Sequence, residues 1–163
     1  MADGRAFTIT RRVSRLGGAV LAGVALTVLV LELALRRLDG PQYVAVRHAE
    51  FGWFTGFIGA VLVPTLVAVA TLAVLARGRA GARRAAAALA LLLLAVVITI
   101  LANGPINVEQ LAWDVQAPPA DWARVRDLWQ VTHAVRTVAI LAALGCLESV
   151  EAGTGPGTVG GRP

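Results

Sequence analysis

The sequence has no lysine, one cysteine, one methionine and one tyrosine, and only ten of its 163 residues are acidic. The single cysteine, Cys146, excludes an intrachain disulfide and a CxxC pair, and with them a thiol relay of the quinone-reductase type within the chain. Without lysine, the fifteen arginines are the whole basic complement, which together with the alanine and glycine load points to a GC-rich genome more than to a function. A formal net charge of +5 would suit nucleic acid, but the arginines stand beside apolar segments instead of forming one basic face. Nucleic acid is therefore not an expected partner. Strand-length alternation of apolar and polar residues is also missing.

What is present is apolar length. Hydrophobic residues make up 57% of the chain, against ~45–50% in an ordinary soluble domain. Four segments approach the roughly 20 apolar residues that cross a bilayer core: Leu16–Leu35, Trp53–Ala76, Ala85–Ala102 and Val131–Leu147. The expected fold is all-α, a four-helix transmembrane bundle with a long outer loop between helices 3 and 4. Residues 1–15 read as a basic cytoplasmic tail, 16–148 as the membrane domain and 149–163, rich in Gly, Pro and Thr, as a disordered cytoplasmic tail. The TRRVSRL stretch has a twin-arginine look, yet the apolar run behind it exceeds the ~7–15 residues of a signal peptide's core, so it reads as a retained first helix. Arg77, Arg79, Arg83 and Arg84 form a tight basic loop, which places it and both termini on the cytoplasmic side.

Polar groups gather at the other end. Glu32 sits inside the end of the first span, four residues before Arg36: an i,i+4 pair, or a carboxylate turned into the bundle. The segment Arg36–Gly52 reads as a loop with a turn at Asp39-Gly40-Pro41, a brief helix from Gln42 to Glu50, and His48 and Glu50 before the second span. Phe51, Trp53, Phe54 and Phe57 read as an interfacial aromatic belt, and Pro64 as a mid-span kink. The stretch Asn103–Thr137 holds three of the four tryptophans, both asparagines and one of two histidines. Gly104 and Pro105 are expected to end the third helix, with Asn103 and Asn107 either capping freed backbone groups or serving a site. Trp113 reads as an interfacial anchor. Beyond Pro118-Pro119 the pattern is helical, and Arg126, Trp129, His133, Arg136 or Thr137, Ile140 and Leu144 fall on one face. A polar stripe on a membrane helix turns inward, because a charged group facing lipid costs about 2.5–3.5 kcal/mol.

The residues N-x-P-x-N at Asn103, Pro105 and Asn107, followed by R-x-x-W-x-x-x-H-x-x-R-T at Arg126, Trp129, His133, Arg136 and Thr137, resemble the small four-helix membrane proteins grouped with fungal anthrone oxygenases. By motif the resemblance covers the C-terminal third, and by hydropathy the whole chain. It implies an integral protein of a bacterial plasma membrane that oxidises an activated aromatic or polyketide-like substrate, of anthrone or hydroquinone type, with dioxygen as co-substrate and no cofactor required. His133 would be the base, with Arg136, Arg126, Asn103 and Asn107 stabilising the enolate oxygen. Trp122, Trp129 and Trp113 would bind the flat ring, with Glu32 beside them.

Three alternatives follow from the residues. His48, His133, Glu32 and Glu50 would supply ligand types for a transition metal such as copper or iron, although none of their spacings is a ligand motif. A non-catalytic membrane scaffold would turn the polar stripe toward a partner helix. A small multidrug-type transporter would use Glu32 and assemble as a homo-oligomer, but such carriers place the carboxylate nearer mid-membrane.

Overall fold

The computed structural model describes residues 2–150. They form helices α1 (Ala2–Leu35), α2 (Gly40–Leu75) and α3 (Ala82–Ile98), a π-helical turn (Thr99–Asn103), and helices α4 (Gly104–Leu111) and α5 (Trp122–Glu148). From α3 through the π-turn to α4 the chain is one continuous rod, Ala82–Leu111, so four rods are long and apolar enough to cross a membrane. The described residues contain no strand. The all-α transmembrane bundle expected from composition is the observed fold.

Each boundary has a local cause. The Asp39 carboxylate accepts from the Gln42 backbone N–H at 2.9 Å and the Gln42 side chain accepts from Asp39 N–H, a capping box that starts α2 at Gly40 with Pro41 in its first turn. Arg36–Gly52 is therefore mostly helix, and its connecting part is only four residues long. Helix α2 runs unbroken through Pro64. Gly78, at φ +76°, closes the turn into α3.

The expected end of the third helix at Gly104-Pro105 is not observed. The π-turn redirects the Gly104 N–H to the Thr99 carbonyl, five residues back, and Pro105 then falls in the first turn of α4, where a missing N–H is tolerated. The long insertion shrinks to residues 112–121. Residues 2–15 also differ from a loose tail: they extend α1, and Phe7 and Ser14 are buried. Of the C-terminal tail, Val150 is fully buried, and residues 151–163 lie outside the described residues.

Helix α1 packs on α2 and α5, and α3 packs on α5, while α2 and α3 pack most loosely. The α1–α2 approach is close at Gly17, where a Cβ would stand 2.2 Å from Thr65 Oγ1. Two apolar cores result. One, around Phe7, Leu72, Leu92 and Leu147, lies at the end where α1 begins; the other, around Val28, Tyr43, Ile106 and Trp129, lies at the opposite end. Between Arg47 and Thr65, α2 buries no residue, so its middle stands off the bundle and leaves a space.

Candidate functional site

That space is a cavity of about 460 Å³ reached by all four rods. Val20, Leu21 and Val24 from α1, Phe54, Ile58 and Leu62 from α2, and Leu92 and Ala95 from α3 give it apolar walls. One end is polar, formed by Arg47, Thr99, Asn107, Trp129, His133 and Arg136. An apolar pocket with a few convergent polar groups is the usual form of a small-molecule site. Phe57 and Val108, both lining residues, are largely exposed on the bundle's lateral face. The mouth thus opens toward the surface that lipid covers.

Arg47 organises the polar end, although it is only 6% exposed. Its Nη1 donates to Glu32 Oε1 at 3.3 Å and to Glu50, its Nε to Gln110 Oε1 at 3.1 Å and its Nη2 to Asn107 Oδ1 at 2.9 Å. The guanidinium lies over the Trp129 ring, 4.6 Å from its centroid. Glu32 is held from its other side by Gln130 Nε2 at 3.0 Å, and Arg36 donates to Gln130 Oε1 at 2.8 Å. A buried ion pair is tolerable when its remaining donors and acceptors are satisfied in this way. Trp129 Nε1 donates to Asn107 Oδ1 at 2.7 Å. Because Arg47 and Trp129 only donate, the accepting Asn107 atom is the oxygen. Its Nδ2 has no partner among the described residues and remains a donor at the cavity wall.

His133 and Arg136 form the second polar unit. His133 Nε2 lies 3.0 Å from the Ala25 carbonyl, and Nδ1 lies 2.6 Å from Arg136 Nη2. A carbonyl only accepts and a guanidinium only donates, so the proton is on Nε2 and the Nδ1 lone pair points at Arg136. The ring stacks on Trp129 at 4.9 Å with planes 12° apart. Arg136 Nη1 donates to Thr99 Oγ1 at 3.0 Å, and Thr99 in turn donates to the Ala95 carbonyl at 2.8 Å. Neither partner of Arg136 is an acid, and no ion pair to it exists among the described residues. It is a cation at the wall of an apolar cavity without a carboxylate.

Of the residues singled out from sequence, Trp129, His133, Arg136 and Asn107 line the cavity. Asn103 does not; its Nδ2 donates to the Trp129 carbonyl at 3.2 Å and to Thr132 Oγ1 at 2.9 Å, pinning the π-turn to α5. Arg126 bonds Asp127 and stands over the Trp122 ring, while Trp122 packs on Tyr43 at 5.7 Å. Trp113 is buried in the neighbouring core. The rings that join Trp129 at the cavity are Phe51, Phe54 and Phe57, three of the four aromatics assigned to a belt; Trp53, 84% exposed, fits that belt. Glu32 stands behind Arg47, outside the cavity lining.

The four residues considered as a metal set do not converge. His48 Nε2 lies against the Gln110 carbonyl at 3.1 Å, His133 is held between Ala25 and Arg136, and both carboxylates turn to Arg47. No group of three or more His, Cys, Asp or Glu suited to a metal occurs among the described residues. Arg47, Gln110 and Gln130 were not legible as site residues. The Asp39–Gln42 capping signature would have placed Arg47 on a helical face with Tyr43 and Phe54, and Gln130 lies three and four residues from His133 and Arg126 on the stripe already recognised.

The fold and cavity define a class: a small integral membrane bundle with a laterally open apolar cavity and a cationic, hydrogen-bonding end. The chain belongs to the anthrone oxygenase family, whose model matches residues 53–146. That match contains Asn107, Trp129, His133 and Arg136 but not α1, Arg47 or Glu50. No curated protein and no solved structure matches the chain.

Proposed function

We propose that the chain oxidises a flat, hydrophobic aromatic of the anthrone or hydroquinone type with dioxygen inside this cavity. The observation that supports it is Arg136, a cation on the wall of an apolar chamber with no acid to balance it among the described residues. An anionic oxygen developing on the ligand would supply the missing charge, in surroundings where such an interaction is strong.

The chemistry needs only a base and an anion site. Loss of a benzylic proton from an anthrone-type methylene gives a delocalised anion with its charge on the ring carbonyl oxygen. That anion reduces dioxygen directly, forming a C–O bond, and loss of water takes the second methylene hydrogen. One CH₂ and one O₂ become one C=O and one H₂O, so no external reductant enters. A resident metal, flavin or haem is not part of the proposal.

His133 Nδ1 is the proposed base, and its lone pair is engaged by Arg136 at 2.6 Å. The ring carbonyl oxygen of an arriving substrate would draw the Arg136 Nη2 donor to itself and free Nδ1, so that base and anion site become active together. Asn107 Nδ2 is the second donor at the wall. Phe51 and Phe54 supply ring contacts. The carrier reading draws no support from Glu32, which is 1% exposed, paired with Arg47 and outside the cavity lining.

Purified protein in nanodiscs, supplied with an anthrone-type substrate, should consume one O₂ per substrate oxidised. Arg136→Gln should lower kcat/KM by about 10²–10³-fold, the usual effect of removing one anion-stabilising donor. Oxygen uptake equal in wild type and Arg136→Gln overturns the assignment. Stoichiometric copper or iron by elemental analysis, with turnover lost on its removal, would replace the cofactor-free route.

A further inference from the structure

We infer that the groove between the end of α2 and the start of α3 binds one anionic phospholipid, with the acyl chain on a floor of alanines and the phosphate between Arg77 and Arg83. The groove has a volume of about 610 Å³ and lies at the opposite end of the bundle from the polar network. Its floor comes from Ala70 and Ala73 of α2 and from Ala82, Ala86 and Ala90 of α3. Small side chains on two adjoining, loosely packed helices leave a furrow on a face that lipid covers.

The charge at its end selects the occupant. Four arginines crowd residues 77–84, and two are built into the fold: Arg79 lies over the Phe7 ring at 4.5 Å, and Arg84 donates to the Ser149 carbonyl. At the same end Arg11 and Arg15 hold carbonyls at and just beyond the end of α5, Arg11 Nη1 to Val150 at 3.1 Å and Arg15 Nε to Leu147 at 3.1 Å. Arg77 and Arg83 are the two that line the groove, and neither guanidinium has a hydrogen bond or ion pair among the described residues. The sequence holds no Asp or Glu between Glu50 and Glu109, and Glu148, the acid at this end among the described side chains, pairs with Arg15. The connecting turn is fixed by Arg79 N–H to the Ala76 carbonyl at 2.9 Å and Ala82 N–H to the Arg79 carbonyl at 3.1 Å. Arg77 and Arg83 both line this one concave apolar surface, and guanidinium matches phosphate geometry. A second copy of the chain would bring its own basic groove and be repelled. A phospholipid with net negative charge supplies both the chain and the anion.

Native mass spectrometry of the protein released from nanodiscs of equal phosphatidylglycerol and phosphatidylcholine tests this. Wild type should retain one phosphatidylglycerol with a preference on the order of tenfold. Arg77→Gln/Arg83→Gln should abolish the preference, and Arg12→Gln, an exposed charge on α1 at the same end, should not. Ala86→Leu fills the floor while keeping both charges and should lose the lipid. Equal retention of the two lipids by wild type overturns the site. So does an Arg12→Gln loss as large as that of the double variant, which would mean a diffuse basic surface. Retention unchanged in Ala86→Leu, or glycerol phosphate competing as well as the intact lipid, removes the chain groove and with it the proposal.

Discussion

Arg47 and Arg136 are both guanidiniums drawn into the bundle, and their surroundings give them different work. Arg47 is neutralised twice, by Glu32 and Glu50, and fixes the positions of Asn107 and Trp129 around it. Arg136 has only neutral partners among the described residues, and the proposed function gives its charge to a ligand. This difference separates a stability residue from the proposed binding residue and yields different expectations. Glu32→Ala removes one of the two carboxylates on Arg47 and the carboxylate partner of Gln130, and should destabilise by about 1–3 kcal/mol, read as a shift in denaturant unfolding in micelles. Glu32→Gln keeps a polar partner for Gln130 and leaves Glu50 on Arg47, so its loss should be clearly smaller. Equal losses would show that the charge of Glu32, not its hydrogen bonds, is what the network depends on. None of this was legible from Arg47 in the sequence, where it stood among three arginines of an apparent loop. His133 and Arg136 were legible, because their spacing places them on the inward face of a helix whichever neighbours they meet.

At the scale of elements, the π-turn Thr99–Asn103 is the feature that shapes the site. It presents Thr99 to Arg136, lets the rod pass Gly104-Pro105 without breaking, and is locked to α5 through Asn103. Such turns carry one residue more than an α-helical path needs and concentrate at functional sites. Deleting Ile100, which is exposed, should restore a regular helix with both flanks near their places. The protein should melt within a few degrees of wild type while oxygen uptake falls sharply; loss of folding and activity together would make the turn a structural necessity instead. The turn was hidden in sequence, since Asn-Gly-Pro is ordinarily a helix terminator. The tertiary contacts of Asn103 with α5 decide otherwise.

For the whole molecule, the cavity exists because two cores close the ends of the bundle and α2 stands away from it in between. Ala95 lies on the cavity wall one turn from Thr99, and its methyl side chain takes no part in the hydrogen bonds of Arg136. Ala95→Leu should therefore raise KM on the order of tenfold with a smaller change in kcat, the size of effect that added methylenes have in an apolar pocket. An unchanged KM would place the substrate elsewhere. The charge distribution makes a separate prediction. Arg5, Arg11, Arg12, Arg15, Arg77, Arg79, Arg83 and Arg84 all belong to the end where α1 begins, which should face the cytoplasm. In a Cys146→Ser background, Gln116→Cys should react with an impermeant maleimide in intact cells and Ala80→Cys should not. The reverse pattern inverts the topology.

Composition alone required a membrane bundle, because four apolar segments of that length can satisfy their backbone hydrogen bonds in lipid only as helices. Helical spacing alone turned His133 and Arg136 inward. Which polar groups touch was decided by the tertiary structure, for contacts between Arg47 and Gln110, or between Arg136 and Thr99, join residues on different rods and leave no periodic trace in the chain. The same holds for the tryptophans. Their number marked a site, but packing sent Trp113 and Trp122 into the neighbouring core and gave the cavity to Trp129 and the phenylalanines of α2.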